Sequence, residues 1–249
     1  MTLDGLQPTI LLPALVAGLL VLATHIPLGR EVLRRGIIFI DLAIAQIAGL
    51  GIIIASALGF EVGGWRAQVS AVIAALAGAL CLRWMERKTP QHLEAVIGVS
   101  FVAAACAAIL VMSHDPHAGE HLQELLVGQI LWTTWAGLLP LALVTAGVLA
   151  GWFGLNLKAS PLGFYLLFAL TITASVQVVG VYLVFASLIV PALAAGGRLI
   201  RAGAIGSAGY VLGLLASGLF DLPAGAAIVL ALVGVATLGG KAAPKIEHR

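Results

Sequence analysis

Charge is what this sequence has least of. Only 10% of its 249 residues are Asp, Glu, Lys or Arg, while 61% are hydrophobic. Mean hydropathy is +1.11. Soluble domains carry charge on about a quarter of their residues, so a soluble globular protein is excluded and an integral membrane protein is implied. Cysteine is nearly absent. Cys81 and Cys106 lie inside apolar runs without CxxC spacing, which excludes a disulfide framework or a cysteine metal motif and leaves them as small packing residues. There is no GxxxxGK[ST] P-loop, no HExxH and no GxSxG, so neither nucleotide hydrolysis nor an intramembrane protease or hydrolase has its motif here. No hydrophilic stretch is long enough for a catalytic domain, and any ATPase that drives this protein must be another chain. The beginning, MTLDGLQPT, lacks the basic n-region of a signal peptide. An uncleaved first helix is expected.

Small residues are abundant, with 30 glycines. In a membrane they let helices approach closely, and a spanning helix needs about 20 apolar residues. Apolar runs cover 10–28, 36–60, 67–84, 95–112, 136–153, 162–174, 178–195, 204–219 and 224–238. The segment 125–135, broken by Gly128 and Gln129 and carrying Trp132 and Trp135, suits an interfacial position. Basic residues follow alternate runs: Arg30, Arg34 and Arg35; Arg83, Arg87 and Lys88; Lys158; Arg198 and Arg201; and the tail KAAPKIEHR. The positive-inside rule makes these segments cytoplasmic. The expectation is a single all-α domain over 1–249, a polytopic bundle of about nine crossings with the N-terminus outside and the C-terminus inside. The two short runs around Ser175-Val176-Gln177 predict a broken or tilted pair; eight crossings result if they form one span, but Arg198 and Arg201 then fall outside.

Polar residues inside a membrane are costly and tend to face the bundle interior or a wet path. Asp41 lies about 8 Å into its run at 1.5 Å per residue. It either pairs with Arg34 or Arg35 or lies on a cation path. Gln46 is five residues on, about 140° around the helix. Thr171, Thr173, Ser175 and Gln177 form a second group, which either bonds its own helix backbone or lines a path. His25, near the end of the first run, reads as a satisfied interfacial side chain. The 113–124 loop has no Lys or Arg and belongs outside. It carries His114, Asp115, His117, Glu120, His121 and Glu124. Asp115-Pro116 is a helix-start pair, and a helix there puts His117, Glu120, His121 and Glu124 on one face. Such a face either is a solvated loop or makes a divalent metal site suited to zinc, copper or nickel.

The stretch VQVVGVYLVFASLIVPALAAGGRLIR, residues 176–201, passes from apolar residues through Pro191 to Ala192, then to Gly196 and Gly197, and on to Arg198 and Arg201. Its FASLIVPALAAGGRLIR part resembles a region of the ABC-transporter permeases that import metal ions, the zinc/manganese/iron permease family. IIFIDLAIAQIAGLG resembles that family's second-helix motif, approximately Phe-Gly-Asp-Ala-Leu-Ser-His-Ala. ALTITASVQVVG, LLVGQILWTTW and FDLPAGAAIVL are similar to further family segments in the same order, so the resemblance runs from Leu28 to Leu238. The second-helix motif departs from the family. Aligning Gly51 puts Gln46 at the His position and Leu42 at the Asp position, whereas aligning Asp41 puts Ala45 at the His position.

The resemblance implies a bacterial inner-membrane permease subunit of an ABC importer for zinc or manganese. It implies a homodimer around a central pathway lined by Asp41, Gln46, Thr171, Thr173 and Gln177. It also implies a cytoplasmic ATPase docked on Pro191, Ala192, Gly196, Gly197, Arg198 and Arg201, and a metal-binding protein at the outer face near His114–His121. The metal is cargo rather than a tightly held cofactor, and the other contact is membrane lipid, not nucleic acid. The alternatives are a proton-coupled secondary transporter working through Asp41 and a siderophore- or cobalamin-type ABC permease.

Overall fold

A computed structural model of the chain describes residues 7–61, 64–113 and 128–239. Eight long helices account for most of them: α1 (Pro8–Arg35), α2 (Ile40–Ala57), α3 (Trp65–Lys88), α4 (Leu93–Val111), α5 (Trp135–Leu149), α6 (Pro161–Ala194), α7 (Leu199–Phe220) and α8 (Ala224–Gly239). Seven of these segments are long and apolar enough to cross a membrane, and α8 is a shorter apolar helix. The all-helical bundle expected from hydropathy is therefore present.

Two of the helices begin at residues whose side chains satisfy a free first-turn amide. The Thr134 and Ser160 side chains accept from Gly137 N–H and Gly163 N–H at the beginnings of α5 and α6. The last turn of α1 is stapled by Glu31, which accepts from Arg34 Nε at 2.9 Å and Arg35 Nε at 2.7 Å. These i,i+3 and i,i+4 pairs carry α1 seven residues past Leu28, where the apolar run ends. At the far end of α7, Ser217 Oγ donates to Leu222 O at 2.7 Å, closing the Asp221-Leu222-Pro223 turn.

Residues 162–195 form two helical limbs, as the two runs predict, described together as α6, and the break lies at Gly180 rather than at Ser175–Gln177. Gly180 has φ 79° and ψ 164°, a region open essentially to glycine alone. The bend reverses the chain. Near the beginning of α6, the Phe164 ring lies 4.1 Å from the Arg35 guanidinium. Near its end, the Leu188 carbonyl and Ala192 pack against Gly29 of the same α1 terminus. A straight helix of 34 residues would separate its ends by about 50 Å. The two limbs, 161–179 and 181–194, therefore go out and back, and both ends of α6 lie at the end of the bundle where α1 finishes. This is the out-and-back course that the basic residues at 198 and 201 require.

Gly128 sits against the bend. Its own φ is 71°, and a Cβ there would collide with the Val179 carbonyl and the Gly180 nitrogen. Two glycine backbones thus meet where the outer segment reaches α6. The following turn, Ile130–Trp132, buries Ile130 and leaves Trp132 81% exposed, as an interfacial anchor would be.

With lipid as solvent, close approach and interhelical hydrogen bonds hold helices together. The fully buried Tyr210 of α7 lays its ring on Gly18 of α1 and shares a 2.8 Å hydrogen bond with Ser187 of α6. Tyr210→Phe removes this bond and is expected to lower the unfolding free energy by about 1 kcal/mol. Tyr210→Ala also opens a cavity and is expected to cost about 3 kcal/mol or more. Denaturant titration in detergent measures both. Cys81 and Cys106, read as packing residues, instead lie exposed on α3 and α4.

Candidate functional site

The bundle has one basic end. Arg30, Arg34 and Arg35 close α1, Arg87 and Lys88 close α3, Lys158 precedes α6, and Arg198 and Arg201 open α7. Arg83 is in the last turns of α3. Among the described residues, Arg66 at the beginning of α3 is the exception. At this basic end the chain leaves α6 through a turn at residues 195–197. Gly196 and Gly197 have φ 57° and 83°, which confirms the glycine turn read from the sequence. Pro191 does not end the helix, which continues to Ala194. Pro191 and Ala192 are buried, so the segment presents Leu193, Gly196, Gly197, Arg198, Leu199 and Ile200 at its surface. Arg201 donates to the Gly239 carbonyl at the end of α8. It ties α7 to α8, whereas Arg198 has no such bond among the described residues.

Asp41 and Gln46 lie on α2, between α3, α4 and α6. Because 36–39 form a turn, Asp41 falls in the first turn of α2, nearer the helix start than the apolar run suggested. It is fully buried. Pairing with Arg34 or Arg35 does not occur, since both arginines bind Glu31. No side chain partners the Asp41 oxygens among the described residues, and its carboxylate faces the backbone amides of Asp41 and Leu42 in its own turn without a full hydrogen bond. Glu94 of α4 ties the entry of α2, its Oε1 accepting from the N–H of Phe39, the residue before the helix, at 3.3 Å. Gln46 is 8% exposed.

On the first limb of α6, Thr171 Oγ1 donates to its own helix at Leu167 O, 2.8 Å away, which is the backbone-satisfying role. Thr173 Oγ1 is buried without a partner. Gln177 is half-buried. The structure brings α2 and α6 into contact, but among the described residues no three His, Cys, Asp or Glu side chains converge on a metal-sized site. His114, Asp115, His117, Glu120, His121 and Glu124 lie outside the described residues.

One polar residue was misread from sequence. His25 is fully buried rather than interfacial. Its Nδ1–H donates to Val21 O at 2.8 Å, and Nε2 has no partner. The extension of α1 to Arg35 puts His25 about 15 Å from the helix end. An i,i+3 and i,i+4 staple following the proline and glycine was the available signal.

Comparison with known proteins assigns the architecture. The description "ABC 3 transport family" matches residues 7–153 and 146–239. The chain belongs to the ABC 3 transport family. Curated proteins similar to this family member include the manganese transport system membrane protein MntC of Listeria monocytogenes, 26% identical over 98% of this chain and 94% of the relative. A protein of the same name from Halalkalibacterium halodurans is 27% identical over 87% of this chain and 82% of its own length. In fold, the family member is similar to a chain of PsaBC from Streptococcus pneumoniae in complex with Fab, with TM-score 0.73, 22% identity and coverage of 98% and 95%. It is also similar to an inward-facing metal-chelate-type ABC transporter, with TM-score 0.66, 18% identity and coverage of 96% and 90%. This ABC 3 family chain is thus a multi-pass membrane protein of the ABC transport class.

Proposed function

We propose that the chain is the permease subunit of an ABC importer that moves manganese into the cytoplasm, with ATP hydrolysed on a separate subunit. The observation that carries this reading is similarity over 87–98% of the chain to manganese transport system membrane proteins. The donor chemistry agrees. The buried polar groups of α2 and of the first limb of α6 include the oxygens of Asp41, Gln46, Thr171, Thr173 and Ser175, and Gln46 or Ala45 stands where the resemblance expects imidazole. Hard oxygen donors suit manganese, whereas imidazole favours zinc. Asp41, Gln46, Thr171, Thr173 and Gln177 line the path in this reading, and the metal passes as substrate.

The basic end faces the cytoplasm by the positive-inside rule. There the ATPase docks on the 192–201 segment. At the opposite end a metal-binding protein delivers cargo near His114–His121, and two copies of the chain form the pathway between them.

The test is reconstitution in liposomes with the partner ATPase and with manganese- or zinc-loaded binding protein. Manganese-loaded protein is expected to raise ATP hydrolysis several-fold over the zinc-loaded form, in the range that differential ligand binding produces, and Arg198→Glu is expected to abolish the rise. Uptake driven by a pH gradient with no ATPase present would instead establish the secondary-transporter reading.

A further inference from the structure

The end of α1 meets the 195–198 turn, and the charges there do not balance. Arg30 is exposed, and its Nε lies 4.0 Å from where a Cβ on Gly197 would stand. Glu31, the carboxylate next to it in sequence, is occupied by Arg34 and Arg35. Arg198, one residue beyond Gly197, is exposed and bonds no acid among the described residues. Two cationic side chains from separate helices thus flank one glycine turn with no anion between them among the described residues, an arrangement that is destabilising by itself. Beside them Ile200 is 92% exposed and Leu193 54% exposed. Gly196 and Gly197 present bare backbone that another chain can approach closely. An apolar projection rimmed by arginines has the composition of a protein interface centre.

We propose that Arg30 is a second anchor for the ATPase subunit, closing with Arg198 on carboxylates of that subunit while Ile200 enters an apolar pocket. This rests on the permease reading and extends the docking surface from one segment to two. Through it, movement of the α6–α7 turn is felt directly by α1, whose Gly29 already packs on Leu188. Anionic lipid headgroups would also attract Arg30, and the experiment separates the two.

The chain is co-expressed with each ABC ATPase of its source organism, and the one that co-purifies is titrated onto permease in neutral detergent and in nanodiscs with and without anionic lipid. Arg30→Glu is expected to weaken ATPase binding about tenfold in all three settings, as loss of an interfacial charge contact does. Arg30→Lys should stay close to wild type, and Arg87→Glu, at the end of α3, should have no effect. Arg30→Gln provides the same comparison if the glutamate variant does not purify as a monodisperse species. Wild-type affinity in Arg30→Glu, or a loss seen only with anionic lipid, overturns the proposal and leaves the permease reading standing. Failure of the wild-type chain to bind any ATPase overturns both.

Discussion

Gly180→Ala is expected to abolish metal uptake, with a loss of tenfold or more, and to lower stability by about 1–3 kcal/mol, the cost of holding a non-glycine residue in that backbone region. The expectation follows from the φ of 79° and ψ of 164° at the reversal of α6. An alanine there favours continuing the helix, and a straight α6 cannot return residues 188–192 to Gly29. The turn at 195–197 would then leave the basic end, and the contact between α1 and residue 197 would be lost with it. Gly128→Ala should act in the same direction, because its added methyl group strikes the Val179 carbonyl rather than a side chain that can rotate away. Gly234→Ala is the control, since nothing lies within 4 Å of a Cβ at that position. Uptake in proteoliposomes and thermal unfolding in detergent measure both effects. Normal uptake by Gly180→Ala would mean that the bend has no role in transport.

The bundle was legible because in a membrane apolar length nearly dictates helices, and the basic residues marked alternate ends. The reversal in α6 was anticipated, but at the wrong residue. Ser175 and Gln177 are polar and drew the break to themselves, yet serine and threonine can be accommodated within a helix by bonding its carbonyls, as Thr171 does. Glycine in a run of valines carries no polarity signal, and only the backbone shows that it has left the helix. Helix ends were misplaced for a related reason. Gly36 to Phe39 are mostly apolar but form a turn, with Phe39 stacked on Phe185 at 6.1 Å. Hydropathy reports burial rather than hydrogen bonding, so it placed Asp41 too deep in α2 and ended α1 too early. The unequal roles of Arg198 and Arg201 depend on the position of the end of α8, which no local pattern encodes.

Asp41→Leu is expected to make the protein more stable and inactive. A buried carboxylate with no cation beside it among the described residues is costly. The usual structural reason for an acid in the first turn of a helix is to satisfy its amides and dipole. Here Glu94 Oε1 receives only the Phe39 N–H, the Asp41 carboxylate faces the Asp41 and Leu42 amides of its own turn without a full hydrogen bond, and no cation pairs with it among the described residues. Leucine has similar reach and needs no partner, so the unfolding temperature should rise by about 3 °C, the shift that 1 kcal/mol gives in a chain of this size. Asp41→Asn keeps the volume and removes the charge, and it should cost uptake at least tenfold with little change in stability, as expected for a group whose role is to meet the cation. The pair of variants separates function from packing. A fall in melting temperature with uptake preserved would show Asp41 to be a structural cap. A rise with uptake lost would show that the chain carries this acid at the expense of its own stability.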